Sequence, residues 1–225
     1  MDVVHRFVLR LVRDDEVGDA LHDLVDDAAD LLGVAGAGIS LARDGGLAFA
    51  TAADERVTFL ERLQEETQSG PCVEAHRAGT AVMVADLRAD PHRWPALARA
   101  AADAGVVAVA GIPVHLNGAH LGALDLYDDH PRAWSDDLEV AELFAAMAAA
   151  YVANAARLDE ARHIAEQLQE ALTSRVVIEQ AKGVLAGERG ISVDEAFAVL
   201  RSHARRKRVS LRAVADAIVN LGLRP

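Results

Sequence analysis

The chain has 225 residues, with 23 lysines and arginines against 35 aspartates and glutamates, a formal net charge of −12. That length holds one medium domain and one small one, each with its own core. A single cysteine, Cys72, excludes an internal disulfide and fits a reducing compartment, and no N-terminal stretch has the build of a secretion signal.

The charge is unevenly placed. Residues 161–225 carry eleven cationic side chains against seven carboxylates, net +4, whereas residues 1–160 carry twelve against twenty-eight, net −16. A basic tail on an acidic body assigns any contact with nucleic acid to the tail. The alanine-rich run at 144–156 includes Asn154 and is far shorter than a membrane span. The expectation is a soluble cytoplasmic protein with no membrane partner.

An N-terminal segment, residues 1–15, opens with a weakly amphipathic stretch bearing Val4, Phe7, Val8 and Leu11. From 16 to 32, Val17, Leu21, Leu24, Val25, Ala28, Leu31 and Leu32 recur at the spacing of a one-sided helix. Periodicity then switches to strands at 35–41 and 47–51, around a hairpin turn from Arg43 to Gly46. Residues 54–68 read as helix again. Ser69, Gly70, Pro71 and Cys72 open a loop and a short helix to about residue 77, followed by a strand at 81–85.

The turn from Asp90 to Pro95 leads into a helix ending near Gly105. Residues 106–114 form a continuous apolar run, as a central strand buried on both faces would. Asn117 and Gly118 signal a hairpin into a strand at 120–127, and a long helix starts at Ser135. The order predicts an α+β sandwich with an antiparallel sheet.

Along the long helix Phe144, Ala148, Tyr151, Ala155 and Leu158 alternate steps of four and three, the seam of a coiled coil. Past Leu158 the frame shifts to Ala161, Ile164, Leu168 and Ala171, a stutter. Phe144, Tyr151, Leu158, Ile164 and Leu168 are the candidate dimerisation residues. The first half of the helix is expected on its own sheet and the second on a partner helix.

Residues 173–219 read as three short helices. The first has Val177, Ile178, Ala181, Val184 and Leu185 on one face, and Gly187 and Gly190 break the chain after it. A capping box, Ser192 with Glu195, starts the second, whose stripe is Val193, Ala196, Phe197, Leu200 and Ala204. Ser210 caps the third, with Leu211, Val214, Ala215 and Ile218 inward and Gly222 as its stop. Such stripes cannot be buried singly, so they close as a bundle.

Its outside is basic. Arg201, Arg205, Arg206, Lys207 and Arg208 are joined by Arg175, Lys182 and Arg212, and on a helix Arg201, Arg205 and Arg208 would form one strip. A solvated face is the alternative for any basic cluster.

The pattern R-x-x-I-E-Q-A-K-G-x-L from Arg175, then S-x-x-E-A-F-x-x-L-R-x-x-A from Ser192, resembles the ANTAR domain over about residues 165–220. It departs at Ala186, where that family often has methionine. ANTAR domains are RNA-binding modules of bacterial transcription antitermination regulators. The resemblance implies a three-helix bundle that binds hairpins in nascent mRNA through Arg175, Gln180, Lys182, Gly183, Arg201, Arg205, Arg206, Lys207, Arg208 and Arg212. Gly183 beside Lys182 offers a point of close approach for an unstacked base.

G-P-C-x-E-A from Gly70, D-L-x-x-D-x-x-x-W-P from Asp86 and H-L-G-A-L-D-L-Y from His120 resemble a GAF domain over about residues 16–155. The implied partition is a GAF-like sensor at 16–157, a connecting helix at 158–172 and an ANTAR-like domain at 173–225. A GAF cavity lies between the sheet and the helices after Asp54 and Pro91, so Cys72, Trp94, Val109 and Leu124 are its candidate liners. Ordinary core packing of a ligand-free domain is the alternative.

No phosphate-binding loop, nucleophile elbow or H-E-x-x-H helix is present in the sequence, and the nine histidines are scattered. Cys72 and His76 are four apart on a short helix with Glu74 between them, but a zinc site needs more ligands, and an acidic neighbour opposes a thiolate. Cys72 is expected to be a buried thiol. The reading is a homodimeric, signal-responsive antitermination regulator with no enzymatic activity, cofactor or metal and an unidentified ligand or partner at the GAF-like domain. A DNA-binding or protein-binding regulator using the same basic face is the alternative.

Overall fold

The computed structural model describes residues 17–225 and, ahead of them, His5, Phe7 and Leu9. Of the N-terminal amphipathic set, Val4, Val8 and Leu11 lie outside the described residues. The chain divides after Arg157 into two compact units.

In the first unit, helix α1 (Val17–Leu32) leads into strands β1 (Gly36–Arg43) and β2 (Gly46–Ala52). Helices α2 (Glu55–Thr67) and α3 (Pro71–Ala78), strand β3 (Val82–Val84) and helix α4 (Pro95–Asp103) follow. Strands β4 (Ala108–Leu116) and β5 (Ala119–Asp128) complete an antiparallel sheet in the order β2-β1-β5-β4-β3. Both hairpins turn on two residues with positive φ, Asp44 with Gly45 and Asn117 with Gly118, the type I′ backbone that matches strand twist.

Side-chain alternation sorts the sheet into two faces. Ala37, Ile39, Ala108, Ala110, Ile112, Val114, Leu124 and Leu126 pack with Leu21, Leu24 and Val25 of α1 and with Phe144, Ala148 and Tyr151. Val109 and Tyr127 face the other way, onto Val57, Leu60, Trp94 and Leu97. Arg132 ties the ends of the first layer together. It donates to Asp128 and Asp137 at 2.7 Å each and to the carbonyls of Leu32 and Gly33 at the close of α1. Those two carboxylates hold its guanidinium pKa above the usual value.

Helix α5 runs Leu138–Arg189 without interruption. The three short C-terminal helices expected from the sequence are therefore the end of α5 followed by two helices, α6 (Val193–Lys207) and α7 (Leu211–Leu221). Gly187 stays helical, and the break comes at Gly190 with φ 65. A helical glycine costs only about 1 kcal/mol relative to alanine, which packing around it can offset. Glycine in the left-handed region is instead the common way to end a helix.

Phe144 and Tyr151 correct the proposed dimer seam. They are 1% and 6% exposed, inside the first unit's core, so no partner helix can reach them. By length and composition α5 is the one helix among the described residues that could cross a membrane. This differs from the expectation that its apolar run is too short. Phe144, Ala145, Ala148, Ala149 and Tyr151 of that stretch nevertheless belong to the core cluster on the sheet.

The second unit closes around Ala181 and Leu185 of α5, Ala196, Leu200 and Ala204 of α6, and Val214, Ala215 and Ile218 of α7. Val193, expected in the α6 stripe, is instead 48% exposed in the first turn. The capping box forms as expected: Ser192 Oγ accepts from the Glu195 amide, and the Glu195 carboxylate accepts from the Ser192 amide. Ser210 caps α7 in the same way, through the Ala213 amide at 3.1 Å.

Candidate functional site

The cations of the second unit do not form the strip drawn from a helical wheel. Helix α6 ends at Lys207, and Arg208 takes the left-handed conformation, φ 55, as its C-cap. Its amide and that of Val209 return to the carbonyls of Arg205 and Ala204. Arg208 therefore leaves the line of Arg201 and Arg205, although all of Arg205, Arg206, Lys207 and Arg208 remain exposed. Among the described residues, Arg175, Arg201, Arg205, Lys207 and Arg208 pair with no carboxylate. Arg206 meets His203 at 3.2 Å, and Arg212 is held by Glu170 at 2.8 Å.

Phe197 is the centre that sequence reading passed over, having counted it as part of the core stripe. Its ring is half-buried. The Lys182 ammonium lies 5.3 Å from its centroid and the Arg201 guanidinium 4.9 Å, both within cation–π range. Glu179 holds Lys182 through both carboxylate oxygens at 2.9 Å. Lys182 thus comes from the end of α5 and Arg201 from α6, and the aromatic ring joins them. Gln180 is exposed, and a Cβ on Gly183 would meet nothing within 4 Å. The result is an open, cationic surface with an aromatic ring at its middle. The missed signal was the four-residue step from Phe197 to Arg201, which puts a cation over the ring on one helix face.

In the first unit the four candidate pocket residues part company. Leu124 faces α1 and α5, on the opposite side of the sheet from Val109, because the pairs Leu124–Ile112 and Val109–Tyr127 lie three residues apart along each strand, an odd step that alternates faces. Leu124 is therefore no liner of a cavity facing α2. Trp94 packs beside Val109 and donates from Nε1 to Glu74 at 2.9 Å, a carboxylate also taken by Arg93. Cys72 is buried in a separate small cluster with Leu47, Val73 and Ala123. His76, four residues on, stacks edge-on against His120, and Cys72 is the buried thiol expected from the sequence. Two surface hollows, one lined by Met83, Pro113, His115 and Leu138 and one by Leu87, Pro91, Pro95 and Arg99, include none of the four.

Between the sheet and α2 sits a polar cluster instead. Glu61 and Gln64 of α2 and Asp125 of β5 are fully buried, with Ser40 and Tyr127 1% exposed. Ser40 donates to one Glu61 oxygen at 2.7 Å and the Tyr127 hydroxyl donates to the other at 2.9 Å, while Gln64 donates to the Tyr127 hydroxyl at 2.8 Å. Burial pushes the Glu61 carboxyl up. Burial and then the Glu61 charge push Asp125 well up, and burial with both carboxyls does the same to the Cys72 thiol. A thiol so held is no nucleophile. The signals were present in the sequence: Glu61 and Gln64 fall on the Val57–Leu60 stripe, and Asp125 interrupts an otherwise apolar inward strand.

A sheet enclosed by helices with a polar interior, followed by a long helix that continues into a cation-bearing bundle, is a two-domain architecture. The GAF domain family matches residues 16–152 and the ANTAR domain family residues 166–219. The chain belongs to the GAF family and carries a C-terminal ANTAR domain.

No curated protein matches it. Similar solved structures include a domain of a putative two-component sensor histidine kinase from Sinorhizobium meliloti 1021. That domain is 17% identical with a TM-score of 0.53, over 67% of this chain and 99% of its own. The GAF domain of an Acinetobacter phosphoenolpyruvate-protein phosphotransferase is 15% identical with a TM-score of 0.53, over 69% and 93%. Free methionine-R-sulfoxide reductase from Neisseria meningitidis, solved with its substrate, is 16% identical with a TM-score of 0.52, over 69% and 89%. These are likenesses of fold.

Proposed function

We propose that this regulator binds hairpins in nascent mRNA through its ANTAR domain, prevents a terminator from forming, and answers to a signal received by its GAF domain. The observation that carries the reading is the Phe197 ring held between Lys182 and Arg201 on the exposed side of the bundle. RNA loops offer unstacked bases, and proteins meet them with aromatic faces, guanidinium planes and cations for the backbone. Arg175, Gln180, Gly183, Arg205, Arg206, Lys207, Arg208 and Arg212 extend that face. A DNA-reading helix is disfavoured because α7, the helix that would enter a groove, carries only Arg212 among cations.

The chain acts as a homodimer in the cytoplasm, without catalysis, in this reading. Leu158, Ile164 and Leu168 are 43%, 47% and 66% exposed along α5, with Leu172 and Val176 continuing the apolar line, and a second α5 would cover them. Two output domains read two hairpins with the gain that linkage gives. Titrating the full chain with a hairpin RNA and a duplex DNA of matched sequence tests the reading, which predicts clear preference for the hairpin. Equal affinity for both would reassign the face to general nucleic-acid or protein contact.

A further inference from the structure

We propose that Glu61, Cys72 and Asp125 bind one divalent first-row transition-metal ion inside the GAF domain. The three come from α2, the first turn of α3 and β5, and all are buried. Their ligating atoms, two carboxylate oxygens and Sγ, lie within 4.8 Å of one another. Zinc takes oxygen at about 2.0–2.2 Å and thiolate sulfur at about 2.3 Å, which sets tetrahedral ligand atoms about 3.4–3.6 Å apart, so side-chain rotations that close the cluster by up to about 1 Å bring all three onto one ion.

Asp125 is the group that asks for a cation. Among the described residues neither of its oxygens meets a donor other than a protonated Glu61 carboxyl or the Cys72 thiol, although the side chain is fully buried. A buried carboxylate without donors is costly. Its nearest polar neighbours are the Glu61 carboxyl and the Cys72 thiol, two more acids. Glu61 by contrast accepts at both oxygens, from Ser40 and Tyr127. That is how a metal-bound carboxylate is oriented by its surroundings.

The backbone also makes room for the cluster. A Cβ on Gly38 would meet Glu61 Oε1 at 2.7 Å. One on Gly111 would meet the Pro71 carbonyl oxygen at 2.7 Å and Asp125 Oδ1 at 3.0 Å. Two glycines on neighbouring parts of the sheet thus leave the space these acids fill.

Three deprotonated ligands and a divalent ion sum to one negative charge, where three bare anions would sum to three. The thiolate disfavours magnesium and calcium, and a mixed sulfur and carboxylate set suits zinc, iron(II) or cobalt(II). Ser40 Oγ, the Tyr127 hydroxyl or a water would complete the coordination.

Cobalt(II) is the probe. The purified full chain, stripped with a chelator, is titrated with Co2+ while the near-ultraviolet thiolate-to-cobalt band is followed. One equivalent per chain with that band, displaced by Zn2+, is the expected result. Cys72→Ser should abolish the band, and Asp125→Asn should weaken binding at least tenfold, each with the wild-type circular dichroism spectrum. Wild-type protein that takes up no cobalt, or takes it up without the band, overturns the proposal and leaves a proton shared between Glu61 and Asp125. Binding of equal affinity in wild type and both variants also overturns it, moving the ion to the exposed Asp128, Asp129 and His130 group.

Discussion

The two units handle their polar chemistry in opposite ways. The GAF domain buries its acids: Glu61, Asp125 and the Cys72 thiol sit behind the sheet, enclosed by α2 and α3. The ANTAR domain is built on a core of alanine, valine, leucine and isoleucine and keeps its cations outside, two of them against the half-buried Phe197 ring. Substitutions in the first should therefore act through folding or through an interior ligand. Those in the second should act on partners at little cost in stability.

The largest expected effect is on assembly. Ile164→Glu with Leu168→Glu should convert a dimer to monomers with native secondary structure, as sedimentation will show, because both side chains are exposed in the single chain and only a partner needs them apolar. Wild-type protein that is monomeric at micromolar concentration, with and without RNA, would remove the dimer from the account. Next, replacing Arg205, Arg206 and Arg208 together by glutamine should weaken hairpin binding by about 100-fold and flatten the salt slope by about two to three units. Thermal stability should hold, and an unchanged slope would place the phosphate contacts elsewhere.

Gly111→Ala makes the contrasting test in the other unit. The added methyl meets backbone at 2.7 Å, so it should destabilise the GAF domain by about 2 kcal/mol in chemical denaturation. Full stability in that variant would mean the space behind the sheet is looser than the geometry gives.

Much of this division was readable beforehand, and the failures share a cause. Period-2 alternation and the two hairpin turns located the strands to within about two residues, since turn chemistry and burial act locally. The pocket assignment failed at Leu124, because a register step decides which sheet face a residue serves and no local signal fixes it. Gly187 was read as a break although tertiary packing carried the helix through it to Gly190. The polar cluster joins residues 40, 61, 72, 125 and 127, separations at which spacing rules are silent. Phe197 is expected in the α6 core stripe, but its half-buried ring lies outside the core cluster and between two cations.

Two smaller effects sharpen the comparison. Phe197→Leu retains apolar bulk but removes the ring, so hairpin affinity should fall about tenfold, with a smaller loss for duplex DNA. Equal losses on both would make Phe197 a packing residue only. Arg208→Gly relieves a left-handed residue at the end of α6 and should raise stability by about 1 kcal/mol, read as a shift in melting temperature, while binding weakens slightly. A fall in stability would show that the Arg208 side chain contributes more than its backbone strain costs.

The measurement closest to the central claim is a pair of titrations of the full chain at one fixed salt concentration. One uses a hairpin RNA with an unpaired loop and the other a duplex DNA of matched sequence and length. The account predicts that the hairpin binds at least tenfold tighter and that Lys182→Ala with Phe197→Leu removes most of that preference. Duplex DNA binding as tightly as the hairpin, or a preference unmoved by those two substitutions, would contradict it.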